Sequence, residues 1–160
     1  MDFLNPIAIL LAAVSALVVG FIWYNPKLFG NAWMKAAGMT DEQVKGGNMA
    51  KIFGMALLFA FLLAMAMPAM VIHQMGVFSL AQGELGVLPS YDAFLNDYGD
   101  AFRTFKHGAF HGVLAGIFIA LPILGTNALF ERKSAKYILI NSGYWIVTLA
   151  VMGAIICGIK

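Results

Sequence analysis

The sequence predicts an all-α, polytopic membrane protein: four transmembrane helices in a compact antiparallel bundle, with a short amphipathic helix in a long second, outer loop. Three observations lead there. Of 160 residues, 61% are hydrophobic and 11% charged, whereas a soluble domain carries about 25% charged residues to solvate its surface. A chain this short has too much surface for its volume to bury that apolar excess in a core of its own, so lipid must be the solvent for it. Four apolar stretches also reach the roughly 20 residues that a helix needs to cross the hydrocarbon layer. Residues 1–160 read as one domain.

The first span covers about residues 4–24. Met1-Asp2-Phe3 precedes it without a basic residue, and Phe21-Ile22-Trp23-Tyr24 ends it without a small-residue cleavage site. The segment therefore reads as a retained helix rather than a signal peptide. Trp23-Tyr24-Asn25-Pro26 places two aromatics at the interface and stops the helix, since proline disfavours helical geometry in its predecessor. Trp33, Met34 and Lys35 follow in a short surface stretch closed by Gly38. Thr40 and Gln43 have capping-box spacing. Gly46-Gly47 breaks the chain before the second span, about residues 52–72.

The outer loop, about residues 73–106, holds Phe94, Leu95, Tyr98, Phe102 and Phe105 at helical spacing. Asp92, Asp97 and Asp100 lie between them, which predicts an amphipathic helix at the interface or an extension of the third span. The third span covers about residues 108–129 and the fourth about 137–159. Pro68 and Pro122 interrupt the second and third, each without a backbone donor, and predict kinks.

Orientation follows from Lys and Arg, which cytoplasmic loops hold in excess. Lys27, Lys35, Lys45 and Lys51 fall in the first loop, and Arg132, Lys133 and Lys136 in the third. Arg103, Lys106 and Lys160 fall on the other side. Loops one and three are thus expected in the cytoplasm, with both termini and the second loop outside; that loop also contains Glu84. A net charge of +2, dispersed along the chain, points away from nucleic acid. The one cysteine, Cys157, excludes an intrachain disulfide and reads as a buried, inert thiol. No phosphate loop, nucleophile elbow or carboxylate pair within a span is present, so an enzyme is not expected.

In lipid, helices associate where small residues let backbones approach. Gly108, Gly112, Gly116 and Ala120 recur every four residues in the third span. Ala8, Ala12, Ala16 and Gly20 do so in the first, and Ala150, Ala154 and Gly158 in the fourth. A close crossing at the third helix is expected.

Two clusters are candidates to carry chemistry. His73, His107 and His111 all map to the outer side. The last two share a helix face and could jointly hold a metal or relay a proton. Met65, Met67, Met70 and Met75 flank His73, and thioethers suit Cu(I). Asp97 and Asp100 could add oxygen ligands or orient an imidazole. The plainer reading has interfacial histidines bridging headgroups and water. On the inner side, Trp23, Tyr24, Thr126, Asn127, Glu131, Asn141, Ser142 and Tyr144 gather where the third and fourth spans join, with Glu131 able to pair with Arg132, Lys133 or Lys136. Interhelical hydrogen bonding is the expected role there.

Several elements resemble a bacterial membrane family known as domain of unknown function 1761. They are Gly20-Phe21-Ile22-Trp23-Tyr24-Asn25-Pro26 with Phe29-Gly30, Trp33-Met34 and the Gly38 turn; His111-Gly112; Pro122 with Asn127 and Phe130-Glu131; and Asn141-Ser142-Gly143-Tyr144-Trp145 running to Met152-Gly153. The resemblance spans nearly the whole chain. It implies a small four-helix protein of the bacterial inner (plasma) membrane and brings no activity, substrate or cofactor. The function expected from the sequence is a non-catalytic accessory subunit or homo-oligomeric scaffold in the bilayer; the alternatives are an oligomeric channel or transporter for a small solute or ion and, second, a metal-binding or redox protein using the outer histidines.

Overall fold

In the computed structural model, residues 4–81, 86 and 88–160 are described. Met1-Asp2-Phe3, on which the signal-peptide argument partly rests, and Glu84 of the outer loop lie outside them.

Helix α1 (Pro6–Trp23) starts where Asn5 caps it, its Oδ1 accepting from the Ile7 and Ala8 amides, and stops ahead of Asn25-Pro26. Helix α2 (Gly30–Ala37) ends at Gly38, whose φ of 75° only glycine adopts cheaply. Helix α3 (Asp41–Lys45) has the full capping box: the Gln43 amide donates to Thr40 Oγ1, and the Thr40 amide to Gln43 Oε1. Asn48 caps α4 (Met49–Val71), which starts a turn before the sequence expectation.

The outer loop differs from its expected form. Its described residues form two helices, α5 (Gln74–Leu80) and α6 (Pro89–Tyr98). The aromatic spacing from Phe94 to Phe105 is not one helix: α6 ends at Gly99, Phe102 lies in a turn with φ of 63°, and Phe105 opens the next element. The third span joins α7 (Phe105–Ala115) to α8 (Leu121–Phe130) through a wider turn, Gly116–Ala120, in which the Leu121 amide donates to the Gly116 carbonyl five residues back. Pro122 supplies the reason. Its ring obstructs the Phe118 carbonyl and it lacks a donor, and the extra residue in the turn absorbs both faults. Helix α9 (Ala135–Gly158) begins at a Ser134 cap.

Among the described residues, four helices are long and apolar enough to cross a membrane: α1, α4, the composite Phe105–Phe130 and α9. Large side chains such as Phe59, Phe118 and Leu139 point outward, Phe118 with 72% of its surface exposed. That suits lipid and would be costly in water. The fourth span is the most enclosed and touches the other three. Gly108 lies against Gly153, Gly112 against Leu149 and Gly116 against Ile146, so numbers rise on one helix as they fall on the other: the third and fourth spans run antiparallel. The core is built from Ala12, Ala16, Ala60 and Ala64 around Met67, Leu149, Met152 and Ile156. Asn5 Nδ2 donates to the Lys160 carbonyl and Lys160 Nζ to Asp100, which puts both ends of the described chain on the same face as the second loop.

Candidate metal centre

The face holding the second loop carries the three histidines. His73 follows the end of α4 and starts α5, leaving its ring exposed. Thr104 Oγ1 caps α7 by accepting from the His107 amide. That fixes the first turn of the helix, from which His107 and His111 project one above the other. Tertiary packing of α4 against α7 then brings His73 to them. One nitrogen from each ring falls within 4.8 Å of the others, and ring centroids are 4.5 to 5.0 Å apart. His73 Nε2 and His107 Nε2 approach to 2.9 Å. Such a contact needs one donor and one acceptor, so at least one of these two nitrogens presents a bare lone pair, the form that ligates a metal.

Aromatic rings wall the cluster. Phe102 packs against His73 and His107, and Phe110 against His111. Phe102 is held there by backbone in the left-handed region, uncommon for an aromatic residue. Its carbonyl accepts from the Thr104 amide and from Cys157 Sγ. Two buried polar residues, overlooked in the sequence, hold this turn. Gln74 donates through Nε2 to the Tyr98 and Ala101 carbonyls, and Arg103 donates through Nε to the Cys157 carbonyl. A glutamine at the head of a helix carries no sequence signal of burial; only the returning 98–103 turn gives it partners.

The expected acidic ligands do not take part. Asp100 is paired with Lys160 at 2.9 Å, and the hydrogen bond and charge of that lysine hold its carboxyl below the usual carboxylate range. Asp97 is exposed, and neither acid joins the histidine group. The methionines separate. Met65 is exposed, Met67 is buried beside Gly153, and Met75 packs on the core. Met70 lines a small cleft with His111, Leu114 and Phe118.

At the opposite end, Trp23, Tyr24, Asn141 and Tyr144 come together. Trp23 Nε1 donates to the Ile140 carbonyl, its ring lying over Gly143. Tyr24 donates to Asn141 Oδ1, and Tyr144 to the Ala16 carbonyl. Every partner is internal, so this cluster joins α1 to α9. Asn127 and Glu131 are not part of it. Gly125 and Ala128 face inward on α8, which turns Asn127 and Glu131, one turn apart, to the exposed side. Among the described residues Glu131 forms no ion pair, and Lys133 instead donates to the Ala37 carbonyl at the end of α2.

A family model described as "Protein of unknown function (DUF1761)" matches residues 7–157. No curated protein and no solved structure matches the chain.

Proposed function

The chain belongs to the DUF1761 family of proteins of unknown function, and from that premise we propose a multi-pass protein of the bacterial plasma membrane that holds a transition-metal ion at its outer face through His73, His107 and His111. One observation favours this over the other readings: packing brings His73, 34 residues away in sequence, against His107 to complete a three-nitrogen group. Three imidazoles recur as the ligands of zinc and copper, with a further coordination position left open. The site stands beside a helix end rather than in the middle of the bilayer, and His73 is exposed, so an ion can reach it from water.

The scaffold and accessory-subunit readings rest on small size, the absence of catalytic motifs and the lanes of small residues, none of which names a partner. The channel reading has less support, because a cleft between spans, lined by Leu63, Ile119, Trp145 and Leu149, is apolar. The charge bias of the loops supports an orientation with the histidines outside.

The experiment is elemental analysis of the full chain purified in mild detergent and reloaded with zinc or copper, beside His107→Ala and His111→Ala. Stoichiometric metal in the parent chain and its loss in both variants is the expected result. Metal absent from the parent, or equal in all three proteins, overturns the proposal.

A further inference from the structure

Resting on that reading of the histidine cluster, we propose that the ion is monovalent copper and that the thioether of Met70 joins the three imidazoles as a fourth ligand. Charge is the first argument. The ligating group contains three neutral donors and no carboxylate, Asp100 is committed to Lys160, and the walls are the rings of Phe102 and Phe110. A dication there would keep its full charge beside an apolar span. Taking charge out of water is costly, and a monocation costs less than a dication.

Softness is the second. Met70 lies three residues before His73, near the end of α4, and lines the same cleft as His111. The thioether is a soft ligand that selects Cu(I), whereas zinc sites use thiolate, imidazole and carboxylate. Met67 is buried and Met75 packs on the core, whereas Met70 shares a cleft with His111.

The test uses the full chain in nanodiscs under reducing conditions, with Cu(I) affinity measured against a chromophoric Cu(I) chelator and Zn(II) affinity measured separately. The proposal expects Met70→Leu, a volume-conserving change at a partly exposed site, to weaken Cu(I) by about tenfold or more while Zn(II) stays within about twofold. A sulfur contribution to the copper X-ray absorption spectrum should vanish with it. Copper that binds no tighter than zinc, or a Met70→Leu chain with unchanged Cu(I) affinity and spectrum, overturns the copper assignment and leaves the histidine site standing. A parent chain that binds neither ion, like His107→Ala, overturns both.

Discussion

Gly108 and Gly112 have no room for a methyl group: a Cβ on the first would collide with the Gly153 carbonyl, and on the second with that of Leu149. Gly112→Leu is therefore expected to destabilise the protein by about 2–4 kcal/mol, read from thermal unfolding in detergent. Gly54→Ala, where nothing lies within 4 Å, should be neutral or raise stability by up to ~1 kcal/mol. Equal effects of the two would rule out this packing account. Tyr24→Phe should cost about 0.5–1.5 kcal/mol by orphaning Asn141 Oδ1. At this scale the sequence was legible where the relevant distance is local. The interval between His107 and His111 is a property of one helix, and the glycine lane is visible by its period. The approach of His73 and the positive φ of Phe102 are tertiary outcomes, and no local pattern encodes them.

Between elements, the second loop is held by a few buried polar bonds together with Met75, Phe78 and Leu95 packed on the core of the spans. Gln74→Leu removes both bonds to the 98–101 turn, and faster amide hydrogen exchange is expected there than in the parent chain. Exchange unchanged in that turn would mean that apolar packing alone holds it. The Asp100–Lys160 pair adds a pH-dependent tie. Its carboxyl titrates below the unfolded value, so the tie is fully present above the ordinary carboxylate pKa of about 3.9 and is lost as pH falls through the lowered folded value. The difference in unfolding temperature between the parent and Asp100→Asn should shrink towards zero on acidification over that window. A difference constant with pH would assign the effect to something other than this charge. Span lengths, the Thr40 capping box and the Gly38 stop were legible because each is written in adjacent residues. The end of α6 at Gly99 and the wide turn before Pro122 were not. Apolar periodicity says which face is greasy and nothing about where the ladder of backbone bonds is interrupted.

For the whole molecule, hydropathy alone was enough for the number of spans, because lipid leaves no other structure open to such segments. Which helix occupies the centre was not evident from it. All four spans are comparably apolar, and only the glycine contacts and the inner aromatic cluster single out α9. The proposed orientation is tested with a phosphatase reporter fused after Lys160 or inserted at Gly46-Gly47. Activity is expected from the first and not from the second, and the reverse pattern would overturn it.

The third and fourth spans interlock along a glycine seam, while the second span meets the third mainly near the histidines. On the proposed reading, one ion then bridges the second and third spans, with His73 supplied at the end of the second and His107 and His111 by the third, and adds to the packing of the second span on the first and fourth. Its free energy of binding is thereby also a free energy of docking for the second span, growing as RT ln(1 + [ion]/Kd). Metal affinity and the mobility of that helix become two readings of one thermodynamic quantity, and a change made to either must appear in the other.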